Sequence, residues 1–157
     1  LGVDPKRIIA GGGSAGGHIA LLATTNPGLN DPNDSKEYDT SVVAYLLFNP
    51  ALKPKKDMEV TFEKHIKASM PPMIAFWGTK DNWLTGWKSA CEKMQSLENE
   101  SIEWWTAQGQ SHAFFNKQPW KDLTIIAADQ FLKKHELIEG EVTLPAPENG
   151  VKLIKTL

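Results

Sequence analysis

The sequence has little of what would tie it to a special environment. A single cysteine, Cys91, stands among 157 residues, so no disulfide can form within the chain. No run of about 18 apolar residues occurs, and no membrane-spanning helix is expected. No basic segment followed by an apolar stretch opens the chain, so no signal peptide is expected, and compartment stays open. Seventeen lysines and arginines against nineteen acids leave a net charge of −2. That is no basis for holding nucleic acid or an anionic membrane surface. No Gly-Lys-Ser/Thr follows the glycine-rich stretch, which excludes a P-loop. The four histidines are not spaced with acids as metal ligands, so no metal site is expected. What remains is 41% hydrophobic and 23% charged, enough for one domain with its own core. The sequence starts at Leu1 and reaches its first strand within a few residues, as expected of a piece of a longer chain.

The stretch from Ile8 to Ala20 organises the rest. A short apolar strand over Arg7 to Ala10 turns through glycines around one serine and continues as a helix over Ala15 to Thr25. Gly12-Gly13-Ser14-Ala15-Gly16 is a G-x-S-x-G pentapeptide, the pattern of a nucleophile elbow. A serine on a tight strand-to-helix turn projects its hydroxyl from the end of a sheet. The flanking chains then come so close that Gly12 and Gly16 must lack side chains. The same residues permit a rival reading: Gly11, Gly13 and Gly16 form G-x-G-x-x-G, the dinucleotide fingerprint, which wants an acid at the end of the next strand. That strand ends in Asn49-Pro50.

Further along, strands are expected over Val42 to Phe48, Met73 to Trp77 and Ile102 to Thr106. Helices are expected around Glu59 to Lys67, over Trp87 to Glu98 and over Trp120 to Glu136. Strand followed by helix, four times over, predicts an α/β fold: a mostly parallel sheet of about four strands with helices on both faces. Residues 1–138 would form this domain and 139–157 a tail that adds a short strand or lies on the surface. In such sheets the working site lies at the carboxyl ends of the strands. Ser14 follows the first strand, Asp81 the third and His112 the fourth. A serine hydroxyl needs a base to become a nucleophile. His112 would be that base, Asp81 would hold its imidazole, and the N–H of Ala15 would hold the oxyanion. Asp81 alone reads as a turn aspartate and His112 alone as a solvated loop histidine; their order behind the elbow gives them weight.

Gly-Gly-Ser-Ala-Gly-Gly-His at 12–18, Phe-Trp-Gly-Thr-Lys-Asp at 76–81 and Gly-Gln-Ser-His-Ala-Phe-Phe at 109–115 resemble the α/β-hydrolase superfamily. Within it they are most similar to the esterase/lipase branch that includes acetyl and carbohydrate esterases. The resemblance covers roughly residues 5 to 137. It implies a serine ester hydrolase that works through an acyl-enzyme without cofactor, on a small ester such as an acetylated carbohydrate. It also implies that strands and a His-Gly-Gly-type oxyanion loop precede the elbow in the family. This sequence is therefore read as the C-terminal half of the fold, weakly active or inactive by itself.

Other residues take lesser roles. Trp83 and Trp87 follow Asp81 and are candidates to line an acyl or sugar pocket, or to form a contact surface. Trp77, Trp104 and Trp105 read as core. His18 reads as structural, His65 and His135 as solvated, and Asp57, Glu59 and Glu63 as a charged helix face. A strand over Arg7 to Ala10 with no neighbour on one side leaves an open edge. A homodimer covering that edge and the following helix is expected. Two further readings stay open: a non-catalytic, self-associating fragment, and a nucleotide-binding half-Rossmann module.

Overall fold

The computed structural model describes residues 2–26, 28, 30–35, 37, 39–52, 61–148 and 150–157. Five strands form one sheet: β1 (Ile9–Gly13), β2 (Ala44–Phe48), β3 (Met73–Gly78), β4 (Ile102–Ala107) and β5 (Ile154–Lys155). They lie side by side in chain order; β1 to β4 are parallel, and β5 pairs antiparallel with β4. Among the described residues the α-helices are α1 (Ala15–Thr25), α2 (Leu84–Ser96) and α3 (Trp120–Lys134).

Alternation along the strands divides the core in two, because successive side chains point to opposite faces. Tyr45, Leu47, Met73, Ala75 and Trp77 face one way, and pack with Leu21 of α1 and with Trp87, Ala90 and Met94 of α2. Ala44, Ile74 and Phe76 face the other way, against Ala127, Ala128, Phe131 and Leu132 of α3. All six residues of β3 are buried, as expected of a parallel strand covered on both faces. Both faces of the sheet therefore carry helices.

Several boundaries differ from the sequence reading. β1 does not stop at Ala10 but runs through three glycines to Gly13, paired residue by residue with β2 up to Phe48. Glycine favours turns only where nothing better is offered; here the ladder of β2 holds it extended. A Cβ on Gly11 would stand 2.4 Å from the Leu46 carbonyl oxygen. The expected helix around Glu59 to Lys67 is, where described, a 3-10 turn over Phe62–His65 anchored by buried Phe62. Its start, with Asp57 and Glu59, lies outside the described residues. Among the described residues β2 is thus followed by no α-helix, and strand–helix occurs three times rather than four. The C-terminal segment joins the sheet through β5, with Val151 and Leu153 packed on one core face and Leu157 on the other.

Among the described residues β1 pairs only with β2, so its other edge is open. Ile19 on α1 is 63% exposed. Arg7, just before β1, donates from Nη2 to the carbonyls of Glu136 (3.2 Å) and Leu137 (2.9 Å) just past the end of α3. A guanidinium there meets the negative end of the helix dipole.

Candidate active site

The turn from β1 to α1 takes place in a single residue. Ser14 has φ 53° and ψ −122°, a left-handed backbone that costs an L residue of order 1–3 kcal/mol and persists only where the surroundings impose it. The surroundings do so through its main chain. Its N–H donates to the Phe48 carbonyl (2.9 Å), and its carbonyl accepts from the N–H groups of Ala51 (3.0 Å) and His18 (3.2 Å). The chain leaving β2 and the first turn of α1 thus grip the serine from both sides through its main chain, and its Oγ takes no part in these bonds. The first N–H groups of α1, that of Ala15 foremost, have no carbonyl one turn back to bond.

The close approach expected of the elbow is made by Gly12, but its counterpart is Gly17 and not Gly16. A Cβ on Gly12 would stand 2.7 Å from the Gly16 carbonyl carbon, and one on Gly17 would stand 2.7 Å from the Gly12 oxygen. A Cβ on Gly16 would meet nothing within 4 Å. Gly16→Ala is therefore tolerated, and by helix propensity raises stability by up to about 1 kcal/mol. Gly17→Ala forces backbone against backbone and lowers it. Thermal unfolding of the two variants checks the contrast, which fails if both move the midpoint in the same direction.

Asp81 lies in the turn after β3 and His112 in the loop after β4, and these two segments are stitched together. Thr79 N–H donates to Ala107 O (3.1 Å), Lys80 N–H to Gln110 O (2.9 Å), and Gly109 N–H to Thr79 Oγ1 (2.8 Å). His112 consequently lies between Asp81 and Ser14. Its Nδ1 is 2.8 Å from Asp81 Oδ2 and its Nε2 is 2.8 Å from Ser14 Oγ. A carboxylate can only accept, so the ring proton belongs on Nδ1, and Nε2 is then free to accept the serine proton. Burial falls outward along the line: the Asp81 side chain is 1% exposed and that of His112 37%. An imidazolium formed at His112 would have a dry negative charge behind it and solvent beside it.

Two tryptophans were candidates for a pocket. Trp83 is half-buried, its backbone N–H donates to Asp81 Oδ1 (2.9 Å), and its ring lies 5.2 Å from that of His112. Trp87 does not border the site. It is fully buried in the core, 6.2 Å from the ring of Trp77. A helix starting at Leu84 turns residue 87 inward with Ala90 and Met94, so Trp87 has no surface to offer a ligand. Asn49 is the residue the sequence reading missed. Fully buried at the end of β2, it donates from Nδ2 to Asp81 Oδ2 (3.0 Å). The only signal was its position, where the rival fingerprint would have required an acid.

Other titratable groups stand apart. Burial, with the neighbouring Glu92 carboxylate, pushes the Cys91 thiol up to about 12, so it carries no thiolate to act as a nucleophile. Burial holds His18 below the ordinary imidazole range. His135 is not simply solvated: it is half-buried with its ring 4.6 Å from that of Phe131, and burial lowers its pKa as well. His65 is half-buried in the 3-10 turn. The space over Gly13 is taken by Phe115, whose ring would stand 2.6 Å from a Cβ there; no phosphate could lie on that glycine as the dinucleotide reading requires.

No protein-family model and no curated protein matches the sequence. Among solved structures the chain is similar to Thermogutta terrifontis esterase 2, in several states. With the enzyme phosphoramylated by tabun it shares 31% identity at a TM-score of 0.81, covering 89% of this chain and 59% of that one. With the native enzyme it shares 33% at 0.77 (89% and 60%), and with the propionate-bound enzyme 30% at 0.78 (90% and 60%). The chain thus spans about three fifths of the length of these esterases.

Proposed function

We propose that this chain, which belongs to the esterase branch of the α/β-hydrolase superfamily, carries the catalytic groups of a serine ester hydrolase. The observation that carries the reading is the unbroken hydrogen-bonded line Ser14 Oγ, His112 Nε2, His112 Nδ1, Asp81 Oδ2. In the reaction, His112 takes the proton of Ser14 as Oγ attacks the ester carbonyl. The tetrahedral oxyanion forms beside the N–H of Ala15, and the imidazolium then gives its proton to the leaving alcohol. Water, activated by the same imidazole, releases the acid from Ser14. No cofactor enters these steps.

The substrate class proposed is a small ester with a short acyl chain. Solved structures of the similar esterase hold propionate and butyrate, which are short-chain acids of the kind such a reaction releases. An acetylated carbohydrate is the proposed natural form. Loss of an oxyanion donor costs about 10²–10³ in rate, and Ala15 is the donor assigned here.

The similar esterase is phosphorylated by paraoxon, so a phosphorylating reagent is the direct test. A fluorophosphonate probe should label the chain at Ser14, and labelling should vanish in Ser14→Ala. Labelling that persists in that variant, or p-nitrophenyl acetate turnover that survives it, overturns the reading.

A second copy of the chain is the partner proposed. The open edge of β1 is flanked in sequence by exposed Ile8 before the strand and by exposed Ile19 on α1 (38% and 63%), and these are the elements proposed to be covered. Water can satisfy the strand edge but not the apolar side chains, whose burial gains about 25 cal/mol per Å². Light scattering at micromolar concentration should report a dimer that Ile19→Lys dissociates. A monodisperse monomer rules the dimer out.

A further inference from the structure

We propose that Asn49 is a positioning residue for the reaction, holding the Asp81 carboxylate in the orientation that keeps the His112 proton on Nδ1. The assignment rests on the esterase reading of Ser14, His112 and Asp81. It begins, however, from features of Asn49 that an ordinary strand-end residue would not show. Asparagine at a turn usually bonds the backbone a residue or two away. Asn49 instead sends its amide across to Asp81, which follows it by 32 residues in the chain.

Its backbone is placed for this. Asn49 has φ 40°, in the left-handed region that asparagine tolerates better than most L residues. Its N–H donates to Phe76 O (2.9 Å), so the last bond between β2 and β3 fixes the residue from which the side chain departs. The side chain has no exposed surface. Its Nδ2 lies 3.0 Å from Asp81 Oδ2 and 3.1 Å from His112 Nδ1. These contacts cannot all be hydrogen bonds. With Asp81 ionised, Nδ1 must carry a proton to bond Oδ2, and a protonated Nδ1 cannot accept from Asn49. The 3.1 Å separation is therefore that of two donors converging on one oxygen.

The other end of the amide supports the same assignment. Among the described residues Asn49 Oδ1 is buried without a hydrogen-bond partner. Reversing the amide would bring that oxygen against the Asp81 carboxylate, so the orientation is determined. A buried asparagine with half its amide unsatisfied is poor packing material; a leucine would serve the core better. Its N–H end is the part in use. With Trp83 N–H on Oδ1 and both Asn49 and His112 on Oδ2, the carboxylate cannot rotate about its Cβ–Cγ bond without breaking donors on both oxygens. Without Asn49, Oδ2 is left with the imidazole alone, and the ring can swing Nε2 away from Ser14.

Asn49→Gly is the informative variant, because glycine adopts φ 40° freely and removes the amide together with its methylene. With histidine labelled by ¹⁵N, the Nδ1–H resonance of His112 should be slow to exchange with water in the parent chain. It should be shifted and broadened by exchange in Asn49→Gly. Turnover of p-nitrophenyl acetate should fall about ten- to a hundredfold in kcat, the worth of one hydrogen bond to a charged group, with KM unchanged. A structural role alone would lower the unfolding midpoint and leave both readouts in place. If Asn49→Gly does not fold, Asn49→Ser, whose hydroxyl is too short to reach Asp81, decides by the same measurements. A resonance and a kcat within twofold of the parent overturn the proposal. Ser14→Ala separates it from the esterase reading: turnover that survives that variant defeats the reading, while the resonance still reports on Asn49.

Discussion

His112→Ala should lower both fluorophosphonate labelling of Ser14 and ester turnover by about 10³-fold or more. Among the described residues the hydroxyl then has no base within reach: Cys91 is buried, and no described side chain other than His112 bonds Ser14 Oγ. Groups that act as one unit do not add their contributions, so the residual rate should match that of Ser14→Ala, and the double variant should lose nothing further. Single-turnover labelling is the better measurement, since it reads the attack on the reagent without requiring release of product. A His112→Ala chain that labels within tenfold of the parent would mean that the line of hydrogen bonds is not what activates Ser14.

The second large effect is expected at a glycine that touches no reacting atom. A Cβ on Gly78 would stand 2.2 Å from Gln110 O, 2.6 Å from Gln110 C and 2.8 Å from Ser111 O. All three are backbone atoms, so no side-chain rotation can relieve the clash, and the loop itself must move. That loop carries His112. Overpacking of this kind costs about 1–3 kcal/mol of stability. A shift of about 1 Å at the imidazole is worth about 10²-fold in rate. Gly78→Ala should therefore lower the unfolding midpoint and the labelling rate together. Gly16→Ala, a substitution of the same size facing open space, should lower neither. Unchanged labelling in Gly78→Ala would show that the loop yields without displacing His112.

The sequence made the sheet legible because its strands are apolar runs bounded by turn residues, and because Met73 to Trp77 has no polar face to present. It made the meeting of Ser14, Asp81 and His112 legible through their order, each in the first turn or loop after a strand. What it obscured has local causes. Gly11 to Gly13 read as a turn, since glycine carries no sign of the β2 ladder that extends it. Gly16 was assigned a contact that belongs to Gly17, because the pentapeptide gives spacing but not the direction of each Cα–H bond. Trp87 was offered as pocket lining although its spacing to Ala90 and Met94 already placed it on the inner face of α2. Asn49 was seen only as the end of a strand. A hydrogen bond to a residue 32 positions later leaves no trace in local pattern.

The order of the strands also bears on how the chain reaches this structure. β1 to β4 lie in the sheet in the order in which they occur in the chain, so each parallel strand docks onto the free side of the one before it. No described strand has to be inserted between two already paired. Each pairing closes only the loop between consecutive strands, which keeps the entropic cost of each step low. β5 is the exception: it reaches back to β4 across the whole of α3. Assembly can thus proceed by accretion from β1 toward β4. The left-handed backbone of Ser14 comes under full constraint only when Phe48 and Ala51 arrive with β2.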